Sequence, residues 1–129
     1  MTTKSVFISF DYDNDKDLRG NLVAQAKRSD SPFSIKDESV YGRIDEKWRD
    51  EVRSRIRRCD LVIVICGHRT HKASGVAGEV AITREENKPY FLLKGRRQGQ
   101  CSRPNTAPKK KVMHPWTWPT LKELIANPR

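Results

Sequence analysis

The segment that most constrains the fold runs from Asp60 to Glu79, DLVIVICGHRTHKASGVAGE. Six consecutive apolar residues, Leu61 to Cys66, lie between Asp60 and Gly67. A run without polar alternation meets water on neither face, so it reads as a strand of a parallel sheet covered by helices on both sides. In such sheets ligands sit beyond the carboxyl ends of the strands. The polar stretch Gly67 to Ser74 falls at that end, and Glu79 lies in the first turns of the helix that follows. Glu79 is therefore the lead functional residue, against the plainer alternative of a solvent-facing helix glutamate.

The rest of the chain alternates in the same way. Ser5 to Phe10, SVFISF, is β-branched and aromatic and gives a first strand. The cluster Asp11, Asp13, Asn14 and Asp15 behind it supplies helix caps. From Asp17 to Arg28, Leu18, Leu22 and Ala26 recur every fourth residue on one helical face. Phe33 to Ile35 is a short strand candidate, and Lys36 to Asp45 reads as a loop. In DEKWRDEVRSRIRRC, Trp48, Val52, Ile56 and Cys59 form one stripe, with acids at the amino end and arginines at the carboxyl end to match the helix dipole. A helix over about Ser74 to Glu86, a strand over Tyr90 to Leu93 and a last helix at about 119–126 complete the pattern. Strands alternating with helices predict βαβ units, hence a flavodoxin-like three-layer α/β sandwich around a small parallel sheet, one domain spanning 1–129.

The net charge of +10 is concentrated in one stretch. Between Lys94 and Lys111 there are seven cationic residues and no acid. This segment, about 95–112, has glycines, prolines and almost nothing apolar, so it reads as a mobile, unpacked basic loop. Solvation is its plain role, and phosphate or nucleic-acid contact the alternative. Three cysteines without a CxxC pair fit a reduced protein, with Cys59 and Cys66 as small core residues. No apolar run approaches the roughly 20 residues of a membrane helix, so no membrane partner and a cytoplasmic location are expected. His68 and His71 lack a third ligand at metal spacing, and no metal is expected.

The fold hosts many functions, so the site residues must decide. A phosphoacceptor receiver needs an aspartate ending the third strand, where Cys66 and Gly67 stand instead. Neither a GxGxxG nor a GxxxxGK[ST] phosphate loop occurs. The first strand with its extension FISFDYDND, the third strand with its Gly67-x-x-Thr70 exit and Glu79, then ENKPYFLL and the tryptophan-containing PWTWPTLKELI resemble the TIR-like family. More narrowly they resemble its bacterial Thoeris ThsB branch, over nearly the whole chain.

That resemblance implies a TIR-like fold and an enzyme that consumes NAD+ as substrate, without a further cofactor. Such an enzyme breaks the bond between nicotinamide and ribose as a nucleosidase or cyclase. In Thoeris systems the product is a diffusible nucleotide signal that reaches a downstream effector during phage infection. The family's catalytic glutamate aligns with Glu79. Ser9, Phe10, Asp11 and Tyr12 are expected to border the same crevice and hold the nucleotide, with His71, and His68 beside it, set against phosphates. Asp37, Glu38 and Ser39 occupy the place of the loop that moves over the site or mediates self-assembly. A non-catalytic assembly or nucleotide-binding module is the alternative. One departure stands out: the family commonly carries a bulky residue four positions before its glutamate, where this chain has Gly75, and Gly78 precedes Glu79 directly. Each glycine loosens a helix by about 1 kcal/mol.

Overall fold

The computed structural model describes residues 3–129. Ten elements follow in order: β1 (Lys4–Ser9), α1 (Lys16–Ala26), β2 (Phe33–Glu38), α2 (Glu46–Arg57), β3 (Leu61–Cys66), a 3-10 turn (Thr70–Lys72), α3 (Ser74–Glu85), β4 (Tyr90–Lys94), β5 (Met113–Pro115) and α4 (Trp118–Ala126). The strands form one five-stranded sheet in the order β2-β1-β3-β4-β5, every pairing parallel. The winding reverses between β1 and β3, which places a crevice at their carboxyl ends.

Every residue of β3 is buried, and its alternation divides the core. Leu61, Ile63 and Ile65 pack with Leu18 and Leu22 of α1 and Leu121, Leu124 and Ile125 of α4. Val62, Val64 and Cys66 pack on the other face with Trp48, Val52 and Ile56 of α2 and Val76, Val80 and Ile82 of α3. The central strand is thus covered on both sides, as its unbroken apolar run requires. The stripe predicted for α2 is its buried face, and the Asp45 carboxylate accepts a hydrogen bond from the Trp48 amide at 2.9 Å to cap its start, a contact worth about 1 kcal/mol.

Three expectations are corrected. The strand at Phe33 extends to Glu38 rather than stopping at Ile35, because its polar side chains find partners at the sheet edge. Asp37 meets Arg55 at 3.0 Å and Glu38 takes a bidentate pair from Arg19, so neither acid belongs to a loop. Asp15 precedes α1 without capping it; its carboxylate lies instead beneath Gly67, where a side-chain carbon would collide with it. Burial pushes this carboxyl above its ordinary range while Arg96, at 3.0 Å, pulls it back.

The basic segment also packs, against the expectation from its composition. Pro104 and Ala107 are buried, the Ser102 amide donates to the Gly67 carbonyl at 2.9 Å, and the Arg103 guanidinium donates to the carbonyls of Pro108 and Lys111. The segment ends in β5, a strand too short and too polar to announce itself. Backbone carbonyls and the ion pairs of Arg96 with Asp15 and Asp17 hold it in place, with Ala107 set in the core. No helix among the described residues is long and apolar enough to cross a membrane.

Candidate active site

Glu79 is wholly buried, which removes the reading of a solvent-facing helix residue. It lies in the second turn of α3, and two neighbouring segments supply three donors to it. The Ser9 hydroxyl, at the end of β1, donates to Oε1 at 2.7 Å, and the Ser39 hydroxyl, just past β2, donates to the same oxygen at 2.6 Å. The Val40 amide donates to Oε2 at 3.1 Å. All three donors are neutral, and burial outweighs them, pushing the carboxyl up to about 7. Desolvation penalises the charged form while hydrogen bonds favour it, so this pKa records a contest that burial wins.

Trp48 fixes this arrangement from the neighbouring helix. Its indole N–H donates to the Val40 carbonyl at 2.8 Å, so the same peptide segment whose amide serves Glu79 is anchored through its oxygen. The indole edge lies against Gly78, where an added side-chain carbon would stand 3.0 Å from two ring atoms. Gly78 therefore makes room for Trp48. Gly75 has no such neighbour within 4 Å and lines an open cavity. The bulk absent from the turn before Glu79 is supplied partly by α2.

That cavity has a volume of about 660 Å³, with Glu79 among its walls, a size typical of small-molecule sites. Phe10, Asp11 and Tyr12 line it, as the sequence predicted, together with Ser39. Ser9 stays behind the wall as a buried donor to Glu79. Asp11 accepts hydrogen bonds from the Asp13 amide and the Asn14 side chain, folding its own loop around it. Phe10, Tyr12 and Tyr41 form an aromatic ladder from the core to the mouth, with centroid spacings of 5.5 and 4.8 Å. Tyr41 is 69% exposed at its outer end. Arg43, Arg69 and Lys72 bring positive charge to the same cavity.

His71 is not brought to this cavity, nor is His68. In a 3-10 turn residues three apart share a side, so Arg69 and Lys72 face the cavity while His71 turns toward the basic segment. There its Nδ1 lies 2.7 Å from the Ser102 hydroxyl, and His68 Nε2 lies 2.6 Å from the Gln98 carbonyl. Sequence reasoning missed Val40, Tyr41, Arg43, Arg69 and Lys72. The one local signal for the first three was Gly42, whose φ of +139° lets the β2–α2 connection turn back over the site.

No curated protein matches the chain by sequence. Among solved structures, the crystal structure of a prokaryotic SEFIR domain superposes with a TM-score of 0.60 at 18% identity, covering 95% of this chain and 92% of that one. At this identity the likeness speaks to fold. The family described as Thoeris protein ThsB, TIR-like domain, matches residues 7–97, a span from β1 past β4 that holds Ser9, Ser39, Trp48 and Glu79. The chain belongs to the ThsB TIR-like family.

Proposed function

We propose that this protein cleaves the bond between nicotinamide and ribose of NAD+, as a nucleosidase or ADP-ribosyl cyclase, with Glu79 as the catalytic carboxylate. The observation that carries this reading is a carboxylate buried beside an open cavity and, among the described residues, paired with no cation. Cleaving an N-glycosidic bond develops positive charge on the ribose in an oxocarbenium-like state, and a fixed carboxylate stabilises it most where water is excluded. The nicotinamide ring is cationic in the substrate and leaves neutral, so no general acid is required and one carboxylate suffices. The ladder of Phe10, Tyr12 and Tyr41 offers flat faces to a ring, and Arg43, Arg69 and Lys72 suit a diphosphate. Membership of the ThsB TIR-like family supports a role in anti-phage defence; in this reading the product is a nucleotide signal to a downstream effector, and the domain self-assembles around the site.

The test is nicotinamide release from NAD+ by purified protein across a concentration series, with ribosyl products identified. Glu79→Gln is expected to lower the rate by about 10²–10³ or more, the usual cost of removing one transition-state charge contact. Full turnover by that variant would remove the proposal.

A second reading is a TIR-like module that binds a nucleotide or assembles without turnover. It rests on the complete cover of Glu79 by Ser9, Ser39 and Val40, which gives the carboxylate a structural task of its own. No NAD+ consumption at concentrations where the chain self-associates, together with NAD+ binding that survives in Glu79→Gln, would establish it.

A further inference from the structure

The basic segment builds a second cleft on the other flank of α3. This cleft, about 980 Å³, lies where the strands begin: its walls include Arg84 and Asn87 from the end of α3, Lys88 and Tyr90 from the entry to β4, and Asn105, Thr106 and Lys111 from the basic segment. Three basic residues line it, and two of them, Arg84 and Lys111, have their charged ends held by neutral groups of the cleft itself. Lys88 donates to the carbonyls of Cys59 at 2.7 Å and Arg57 at 3.4 Å. Arg84 donates to the Thr106 carbonyl at 2.8 Å. The Lys111 ammonium lies 4.0 Å from the centre of the Tyr90 ring. Glu85 is the one acid among the lining residues, and its carboxylate is taken by Arg53 at 2.7 Å.

Positive charges lining a concave surface focus a positive potential into it. Burial already depresses the Lys111 ammonium below its ordinary pKa. An anion in the cleft would relieve that cost. We propose that this cleft is a second ligand site, separate from the Glu79 cavity, that takes a compact polyphosphate anion such as the phosphate tail of a nucleotide. Arg84 and Lys111 in the cleft, with Lys88 beside them, match several phosphate charges rather than a single carboxylate. Duplex nucleic acid needs cations spread along a track, whereas here Glu85 and Glu86 interrupt any such track beside the cleft, both engaged by Arg53.

The test is an amide NMR titration of the full chain with inorganic tripolyphosphate at physiological salt, with ATP and a duplex DNA oligomer as parallel arms. Saturable shifts confined to Arg84, Asn87, Lys88, Tyr90, Thr106 and Lys111 are expected. Lys111→Gln and Arg84→Gln should each weaken binding by up to about tenfold, the scale of one charge-assisted contact. Lys88→Gln adds a third variant, and because its ammonium also ties carbonyls of the fold, the first two carry the test if it does not fold. The double variant Lys109→Gln, Lys110→Gln removes two exposed charges outside the cleft lining and should leave affinity unchanged. Equal weakening by that control, shifts that never saturate, or duplex DNA binding more tightly than either polyphosphate would overturn the proposal. ATP binding no better than tripolyphosphate would place recognition in the phosphates; tighter ATP binding would add the base.

Discussion

Two glutamates seven positions apart, Glu79 within α3 and Glu86 just past its end, have opposite fates. Glu79 is buried among two hydroxyls and an amide, and its carboxyl rises to about 7. Glu86 receives the guanidinium groups of Arg57 and Arg53 at 2.6 and 2.7 Å, and its carboxyl falls to about 2. The difference lies in the company: a carboxylate is held charged where arginines face water beside it, and held near the edge of neutrality where only uncharged donors reach it. The first arrangement is structural. The second keeps a group that titrates near neutral pH, as the proposed catalytic role requires, and the fold maintains it at a cost in stability.

The largest effect that would break this comparison comes from the support of Glu79. Trp48 is 5% exposed and packs on Gly78, so Trp48→Ala is expected to destabilise the domain by about 3–5 kcal/mol, the usual range for emptying a buried aromatic site. Denaturant unfolding checks it, and a cost below about 1 kcal/mol would show that α2 does not carry the site in this way.

Next comes pH. The folded protein holds a proton on Glu79 up to about 7, while the unfolded chain releases it near 4.5. The folded state therefore binds more protons across that window, and stability falls as pH rises through it. The shift corresponds to about 3 kcal/mol at full ionisation. Wild type should lose stability relative to Glu79→Gln between pH 5 and pH 8. Parallel pH curves for the two proteins would contradict the burial argument.

Smaller and more specific are Ser39→Ala and Trp48→Phe. The first deletes a hydroxyl 2.6 Å from Glu79 and should cost about 1–3 kcal/mol above pH 7, and less at pH 5 where the carboxyl is protonated. The second keeps a ring over Gly78 while leaving the Val40 carbonyl without its donor, a loss of about 1–2 kcal/mol. Thermal melts at both pH values separate the two. The smallest effect belongs to Glu86→Gln, whose arginine pairs at the surface are weakened by salt. Its consequence should vanish in high salt, while that of Ser39→Ala should not.

The elements that could be read from sequence were those whose apolar spacing is strong. The unbroken Leu61 to Cys66 run and the Trp48, Val52, Ile56 stripe announced a doubly covered sheet and the face of α2. Glu79 could be read from its place after a third strand, and Ser9, Phe10, Asp11 and Tyr12 from the end of the first. The rest depended on contacts distant in sequence. Asp37 and Glu38 look like loop residues until Arg55 and Arg19 arrive to satisfy them. Arg69 and Lys72 reach the cavity, and His71 does not, because of the phase of one 3-10 turn. The basic segment packs largely through main-chain carbonyls and the Arg96 ion pairs, which leave no trace in hydropathy. Gly78 looked like a defect in α3 and is the seat of a tryptophan from another helix.

The most direct test of the account is the rate of NAD+ cleavage from pH 5 to pH 9, for wild type and Glu79→Gln side by side. The account predicts a wild-type rate that rises through an inflection near 7 as the carboxylate forms, and a variant slower by at least about 10²-fold at high pH and without that inflection. A variant as active as wild type, or a wild-type inflection near 4.5 where an exposed glutamate would titrate, would contradict it.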